Sequence, residues 1–275
     1  MAQICYSIGV LALGRSDYAT AHERLEHALG EVARRQSDLE TAWRRSEEAL
    51  PLYRKLGNVI GEANSIRRMG GVASRRLDHD TARQRFEEAL PLFRKVGDVL
   101  GEANCIFLMT ELSWRSEPEA RERFQDALQL YREVGDVLGE ANCIYDIGQI
   151  ALSRADHSVA RQLFEDALPL YRTIGNLFGE ACALIRRGQL AQLSDNGAAR
   201  AHFDEALAVL ERDPKDLALP GWRAFHAALV TADSATAAEK REEARAYWTR
   251  VGCLDLVDRF LDLPVVHGGT DSAAA

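Results

Sequence analysis

Small and apolar residues recur at helical spacing through the middle of the chain. One stretch places five of them on a single helical face: Ala141, Ile144, Ile147, Gly148 and Ala151. The next stretch does the same with Ala160, Phe164, Ala167 and Leu168. Steps of three and four residues predict two amphipathic helices in succession. Because Ala and Gly are small, the two helices can approach closely while one Phe fills the remaining space.

Glycine followed by Asp or Asn marks the joints between successive repeats, as in Gly97-Asp98, Gly135-Asp136 and Gly175-Asn176. Glycine readily adopts the left-handed conformation just past a helix end, and Asp or Asn caps the start of the next helix. A second polar joint falls inside each repeat, at 77–80, 116–118, 155–157 and 194–197. Each repeat is therefore predicted to be a first helix, a short turn and a second helix.

The helix pairs are built from a repeated phrase. Gly-Glu-Ala-Asn begins at Gly61, Gly101 and Gly139, and Gly-Glu-Ala-Cys begins at Gly179, at intervals of 40, 38 and 40 residues. A fixed period of this size predicts a stack of repeats. Stacked-repeat proteins generally act through a long surface, so we expect an interaction surface and no catalytic pocket.

The second helices carry a motif that resembles the tetratricopeptide repeat. The tetratricopeptide pattern joins an apolar-Gly step in the first helix to A-x-x-x-F-x-x-A in the second. The matching residues are Met69-Gly70 with Ala82, Phe86 and Ala89; Ile147-Gly148 with Ala160, Phe164 and Ala167; and Arg187-Gly188 with Ala199, Phe203 and Ala206. The period exceeds the usual length of about 34 residues, as in Pins-type adaptors and the repeat tails of NLR-like signalling ATPases. The resemblance implies an all-α, right-handed superhelical solenoid of antiparallel helix pairs.

The repeat pattern divides the chain into four parts. We expect irregular N-terminal repeats over residues 1–57, four regular repeats over 58–211, degenerate capping helices over 212–263 and a disordered tail over 264–275. The spacing near the N-terminus allows two interpretations. Either one helix, about Tyr18 to Gln36, serves two successive pairs, or a deletion leaves a locally distorted stack.

Composition limits the kinds of binding partner and the cellular compartment that we expect for this protein. The net charge of −8 argues against nucleic acid, because a phosphate-binding face needs clustered positive charge. The sequence contains no apolar run of the roughly 20 residues that cross a bilayer, and residues 1–8 lack a basic signal region. Five cysteines form no C-x-x-C pair, so we expect reduced core residues in a cytoplasmic protein.

No constellation for catalysis or metal binding is evident in the sequence. His22 and His27 resemble a zinc motif, but they are five residues apart, whereas H-E-x-x-H places two histidines on one face at a spacing of four. The chain has no Gly-Lys pair and therefore no P-loop. We predict no catalytic residue, metal or cofactor.

One side of each first helix is the best candidate for a binding site. This side, called the Asn face below, carries the Asn of the repeated phrase and the residues 3, 4, 7, 10 and 11 further on. In the tetratricopeptide resemblance, it lines the inner groove. The predicted site residues are Asn64, Arg67, Arg68, Arg75, Asn104, Phe107, Leu108, Glu111, Trp114, Asn142, Tyr145, Asp146 and Gln149.

These residues suggest that the groove binds an extended peptide. The stacked Asn amides would hold the peptide backbone, because an amide donates and accepts at once. Phe107, Leu108, Trp114 and Tyr145 would form an apolar pocket, and the three arginines of the first repeat would favour acidic side chains. The alternative is that each Asn caps or cross-links neighbouring helices and was copied when the repeat was duplicated.

Two functions therefore follow from the sequence. The first is a non-catalytic scaffold that binds a peptide segment of a partner protein. The second is a sensor or self-association module of a signalling assembly whose ATPase lies on another chain.

Overall fold

The computed structural model describes residues 39–115, 118–193, 196–214, 216, 218–231, 233–251, 256–257 and 260. Every long regular element in these residues is an α-helix. In chain order, the helices are α1 (Leu39–Leu56), α2 (Val59–Arg75), α3 (His79–Val96), α4 (Val99–Ser113), α5 (Ala120–Val134), α6 (Val137–Ser153), α7 (His157–Thr173), α8 (Leu177–Ala191), α9 (Asn196–Leu210), α10 (Leu219–Val230) and α11 (Ser234–Val251).

The chain forms two compact units, residues 1–136 (unit 1) and 137–275 (unit 2). In unit 1, α2 pairs with α3 and α4 with α5, while α1 packs on α2 and α3 on α4. In unit 2, the pairs are α6 with α7, α8 with α9 and α10 with α11, and each pair packs on the next. The all-α architecture of successive helix pairs is thus confirmed.

The joints between repeats have the predicted local structure. Gly57, Gly97, Gly135 and Gly175 all have positive φ, between 66° and 71°. At three of these joints, the following Asn or Asp accepts a hydrogen bond from the backbone N–H three residues on, over 2.8 to 2.9 Å. The left-handed residue ends one helix and the side-chain cap starts the next, so the sequence fixes each joint locally.

The joints inside the repeats, between the first and second helix, make the same kind of turn with different residues. Leu77 and Ala155 take the left-handed conformation, with φ of 60° and 58°, although neither is glycine. Asp78 and Asp156 then cap α3 and α7 through the backbone N–H groups of Thr81 and Val159. Left-handed backbone is unfavourable for residues with a Cβ, so these two positions hold local strain.

Glycine and an aromatic ring meet at two kinds of position in the repeats. A Cβ added at Gly70, Gly148 or Gly188 would lie 2.3 to 2.8 Å from the Phe ring of the paired second helix. A Cβ added at Gly61, Gly101 or Gly179 would lie 2.2 to 2.4 Å from the aromatic ring that ends the preceding second helix. These distances are shorter than van der Waals contact, so the glycines are required for close helix packing.

The repeat geometry continues beyond the region where its sequence signal fades. We predicted degenerate helices after residue 211, and the structure shows α10 and α11 paired by the same kind of contact. A Cβ at Gly221 would lie 2.2 Å from Trp248, and Trp248 donates a hydrogen bond to the carbonyl of Ala218 over 3.2 Å. The interval between this glycine and its aromatic partner is longer than in the regular repeats, so the repeat signal is weaker in this part of the sequence.

Part of the predicted organisation lies outside the described residues. This applies to the shared helix over Tyr18–Gln36, to residues 1–38 of the irregular N-terminal repeats and to the tail over 264–275. The domain boundaries therefore stay predictions.

The cysteines within the described residues behave as expected. Cys105, Cys143 and Cys182 are buried and carry reduced thiols. Burial raises the pKa of the Cys105 thiol to about 12, so it stays protonated near neutral pH. Cys5 and Cys253 lie outside the described residues.

Candidate functional site

The structure assigns a packing role to each letter of the Gly-Glu-Ala-Asn phrase. The glycine admits the aromatic ring described above. The alanines at 63, 103, 141 and 181 are completely buried. The glutamates form ion pairs across the joint: Arg54 with Glu62 at 2.7 Å, Arg94 with Glu102 at 2.7 Å and Arg172 with Glu180 at 2.8 Å. The Gly, Glu and Ala of the phrase therefore serve to stabilise the fold.

The joint ion pairs extend to a second carboxylate in two repeats. Arg54 also contacts Glu88 at 3.3 Å, and Arg172 contacts Glu205 at 2.7 Å. Hydrogen bonding to Glu62 is the main cause that raises the pKa of Arg54 above its ordinary value. The side chains of Arg54 and Arg172 are 51% and 47% exposed, so their pairs with Glu88 and Glu205 contribute little to stability. The Glu180 side chain is only 4% exposed, so its pair with Arg172 is better shielded from solvent.

The asparagines are part of the interhelix packing in two of three repeats. The Oδ1 atom of Asn104 accepts a hydrogen bond from the hydroxyl of Tyr131 at 3.0 Å. Asn142 accepts one from Tyr171 at 2.8 Å. The cross-linking alternative raised by the sequence therefore applies to both residues, which join the first helix of a repeat to its second helix.

Asn64 differs because its repeat has Phe93 at the position of Tyr131 and Tyr171. Phenylalanine has no hydroxyl, so this interhelix bond cannot form. The Oδ1 atom of Asn64 accepts a long 3.4 Å hydrogen bond from Arg67 on the same helix. Asn64 is half-buried.

The Asn face of unit 1 is partly open to solvent. On α2, Asn64, Arg67 and Arg68 are half-buried and Arg75 is exposed. α4 contacts α2 directly, so the two helices that carry the Asn face of unit 1 are adjacent. α4 contributes the half-buried residues Asn104, Leu108, Glu111 and Trp114, and the Arg115 guanidinium lies 5.3 Å from the centre of the Trp114 ring.

Phe107 is a core residue of unit 1. Its ring centre lies 5.5 Å from that of Phe124 and 6.3 Å from that of Tyr131, and 9% of its surface is exposed. Leu108 and Trp114 are the more accessible members of the predicted apolar pocket.

The Asn face of unit 2 is largely buried. On α6, Asn142 is half-buried, whereas Tyr145, Asp146 and Gln149 are buried. The Tyr145 ring lies 5.4 Å from Phe164, and Gln149 donates a long 3.5 Å hydrogen bond to Asp146. This set is polar in sequence, yet it has little direct access to solvent.

On α8, Cys182 replaces the Asn of the phrase, and the corresponding face carries Arg186, with 1% of its surface exposed. It donates hydrogen bonds to the Tyr145 hydroxyl at 3.3 Å and to Gln189 at 2.9 Å. Its guanidinium lies over the Phe260 ring at 5.3 Å. The sequence analysis did not select Arg186, and no sequence signal connected it to Phe260.

The described residues give no sign of metal chemistry or of a membrane span. Within them, no group of three His, Cys, Asp or Glu side chains is arranged to hold a metal ion. Among the described helices, none has both the length and the apolar character needed to cross a bilayer.

These features define an α-helical repeat protein whose repeats are joined by glycine, aromatic and Arg–Glu contacts. A family model described as Tetratricopeptide repeat matches residues 23–95 and 117–173. These two segments therefore carry tetratricopeptide repeats, as the sequence resemblance predicted. A comparison with curated protein sequences found no match.

Solved structures of three repeat proteins share this fold. A Rap protein complexed with Competence and Sporulation Factor is 15% identical, with a TM-score of 0.70 over 87% of this chain and 68% of that chain. The apo quorum sensor NprR from B. thuringiensis is 12% identical, with a TM-score of 0.60 over 94% of this chain and 78% of that one. A STAND ATPase with a tetratricopeptide sensor, from Pyrococcus horikoshii, is 14% identical, with a TM-score of 0.57 over 86% of this chain and 38% of that one.

At these identities, the structural likeness shows the fold alone. The family match and the repeat fold support a protein-interaction scaffold, a class of module that is generally non-catalytic.

Proposed function

We propose that the Asn face of unit 1 binds an extended, acidic peptide segment of a partner protein. The observation that carries the proposal is a pair of contacting helices, of which α2 carries three half-buried or exposed arginines and α4 carries the half-buried Leu108 and Trp114. Such a surface offers charge for recognition and apolar area for affinity.

Charge favours an acidic partner. Arg67, Arg68 and Arg75 share one helix face in a chain whose net charge is −8. Guanidinium groups bind carboxylates through paired, charge-assisted hydrogen bonds. A local positive surface on an acidic protein also favours docking of an acidic segment in one place.

Asn64 supplies the contact to the peptide backbone. Its equivalents Asn104 and Asn142 accept hydrogen bonds from tyrosines. Because Phe93 has no hydroxyl, Asn64 accepts instead the long hydrogen bond from Arg67 on its own helix. A side-chain amide that both donates and accepts can pair with an extended backbone whatever side chains the peptide carries. Leu108 and Trp114 would then bind an apolar side chain of the same peptide.

The test begins with a phage-displayed library of random 12-residue peptides selected on the full-length chain. We expect enrichment of peptides that combine Asp or Glu with an aromatic or large aliphatic residue. A fluorescein-labelled enriched peptide, measured by anisotropy, should bind at least about tenfold more weakly to an Arg67→Glu/Arg68→Glu chain, since two favourable charges become repulsive.

A charge-matched control separates local from global electrostatics. Arg44 of α1 and Arg200 of α9 have side chains that are 59% and 65% exposed, and neither helix carries the Asn face. Arg44→Glu/Arg200→Glu makes the same change in net charge and should alter affinity less than about twofold in physiological salt. The proposal fails if no peptide is enriched, or if both double variants bind the peptide equally.

Self-association, the second function predicted from the sequence, has a separate measurement. Multi-angle light scattering of the full-length chain over a range of concentrations reports its mass directly. A constant monomer mass would count against the self-association module, and a concentration-dependent dimer would favour it.

A further inference from the structure

One edge of unit 1 exposes apolar side chains where three helices meet. Val96 ends α3, Leu100 lies in the first turn of α4, and Val134 ends α5. The exposed fractions of these residues are 39%, 40% and 42%. The three residues, called the joint edge below, take no part in the proposed peptide site.

Contacts at the first turn of α4 bring the ends of the other two helices to the same place. The Phe93 ring near the end of α3 lies against Gly101, where an added Cβ would be 2.2 Å from it. The hydroxyl of Tyr131, near the end of α5, donates a hydrogen bond to Asn104 at 3.0 Å. Both helices therefore end beside the start of α4, so the joint edge lies at one end of this helix group.

Exposed apolar residues recur at fixed positions of the joints between repeats. The residue before the joint glycine is apolar and exposed at Leu56, Val96 and Val134. The residue two positions after the capping Asn or Asp is also apolar and exposed, as at Ile60 and Leu100. This recurrence distinguishes them from the scattered exposed apolar side chains of an ordinary soluble protein. Such side chains gain free energy when another surface covers them.

The charges beside the joint edge are self-complementary. The position two residues before the joint glycine is Lys95 in one repeat and Glu133 in the next. Both side chains are exposed, and neither forms an ion pair with any other residue that the structure describes. A two-fold axis between the two positions would place each Lys95 opposite Glu133 of the partner subunit. The same rotation would place Val96 against Val134 of the partner subunit.

We propose that the joint edge of unit 1 binds the joint edge of a second copy of this chain in a two-fold symmetric contact. Lys95 of each copy pairs with Glu133 of the partner subunit, and the three apolar residues cover their counterparts. The inference rests on the self-association function described above and assigns a surface to it. It does not depend on the peptide site.

The small size of the joint edge predicts a weak dimer. A stable dimer generally buries about 800 Å² on each partner, and three partly exposed side chains with two charged groups offer much less. We therefore expect a monomer at low protein concentration and a dimer at concentrations on the order of 100 μM.

Charge exchange tests the reciprocal pairing. Sedimentation equilibrium of the full-length chain at about 10 to 500 μM measures the dissociation constant of the dimer. Lys95→Glu and Glu133→Lys should each raise this constant at least about fivefold, since each creates two like-charge contacts across the axis. The combined Lys95→Glu/Glu133→Lys chain restores opposite charges and should return to within about twofold of the wild type. The two single changes shift the net charge in opposite directions, so a general charge effect cannot weaken both dimers.

Two exposed leucines of unit 1 test the apolar part of the contact. Leu100→Ser should raise the dissociation constant at least about fivefold, because the side chain is lost on both copies. Leu77→Ser is the matched control, since Leu77 is 49% exposed and lies at a joint inside a repeat. The Leu77→Ser chain should dimerise as the wild type does, and far-UV circular dichroism checks that both variants are folded.

Three results would overturn the proposal. A monomer mass at every concentration would leave the joint edge to another protein or to another segment of this chain. A dimer that is unchanged by Lys95→Glu, Glu133→Lys and Leu100→Ser would place self-association on a different surface. A combined charge exchange that does not restore the dimer would contradict the two-fold pairing.

The joint edge and the proposed peptide site can fail independently. The Arg67→Glu/Arg68→Glu chain should dimerise as the wild type does, because its changes lie on the Asn face. The Lys95→Glu/Glu133→Lys chain has an unchanged net charge and should bind an enriched acidic peptide as the wild type does. Loss of dimerisation in the first chain would contradict a contact confined to the joint edge.

Discussion

The Asn faces of the two units begin from the same repeated phrase and differ in accessibility. On α2 in unit 1, Arg68 is half-buried. On α8 in unit 2, Arg186 occupies the same repeat position and is buried beneath Phe260. The repeat determines which side chains reach this face, and residues outside the repeat decide whether the face is open.

The largest expected effect is on the free energy of unfolding, and it distinguishes Arg186 from Arg68. Arg186→Gln should lower the free energy of unfolding by about 2–4 kcal/mol, because it removes buried charge-assisted hydrogen bonds and a cation–π contact. Arg68→Gln should cost less than about 1 kcal/mol, because water can replace the contacts of a half-buried side chain. Urea unfolding followed by far-UV circular dichroism measures both values. Equal costs would show that the two faces do not differ energetically.

Glycine packing should be the same in both units. Gly70→Ala and Gly188→Ala should each lower the free energy of unfolding by about 1–3 kcal/mol, because a Cβ would overlap Phe86 or Phe203. Gly71 offers a matched control, since a Cβ at this adjacent position meets nothing within 4 Å. Gly71→Ala should stabilise the helix by about 0.5–1 kcal/mol. Thermal unfolding midpoints that fall for all three variants would contradict this.

The tyrosine-to-asparagine bond is present in both units, and Phe93 marks the repeat that lacks it. Tyr131→Phe and Tyr171→Phe should each lower the free energy of unfolding by about 1 kcal/mol through loss of the bond to Asn104 or Asn142.

Phe93→Tyr should raise the free energy of unfolding by about 0.5 kcal/mol if the new hydroxyl reaches Asn64. It should also weaken the binding of an enriched acidic peptide, because it would occupy the Asn64 amide. Peptide affinity that is unchanged in a stabilised Phe93→Tyr chain would remove Asn64 from the proposed site.

The smallest effect concerns the strained joints, one in each unit. Leu77→Gly and Ala155→Gly should each raise the free energy of unfolding by about 0.5 kcal/mol, because relief of the left-handed strain exceeds the added chain entropy of glycine. Ala235→Gly in α11 is the helical control and should destabilise by up to about 1 kcal/mol. If calorimetry shows a lower unfolding temperature for both Leu77→Gly and Ala155→Gly, the left-handed conformation at these joints carries no net strain.

The sequence predicted the local structure well because its signals are local. The glycines at 57, 97, 135 and 175 and the caps that follow them act within one helix turn of the chain. Pairs of the Gly70–Phe86 kind recur at a fixed interval, so the sequence showed them as a periodic pattern. The hairpin of α10 and α11 was predicted as two helices, and Ala244 and Trp248 echo the repeat motif. Because the interval between Gly221 and Trp248 is longer than in the regular repeats, the contact between these two residues was not predicted.

The candidate site was less predictable because accessibility depends on contacts that are distant in sequence. Helical spacing placed Phe107, Tyr145, Asp146 and Gln149 on the Asn face, and the structure buries all four. The roles of the asparagines also depended on a residue almost thirty positions away, since a hydroxyl at 131 or 171 engages the amide and a phenyl ring at 93 cannot.

The sequence by itself determined the helix pairs, their joints and the tetratricopeptide character, because capping, left-handed glycine and small-residue packing are encoded within each period. Only the tertiary structure decided which faces remain open. The Phe260 ring that packs on the buried Arg186 lies more than seventy residues further along the chain, and no periodic signal relates the two. Solvent access is a property of everything packed around a side chain, so it cannot be read from the helix that carries it.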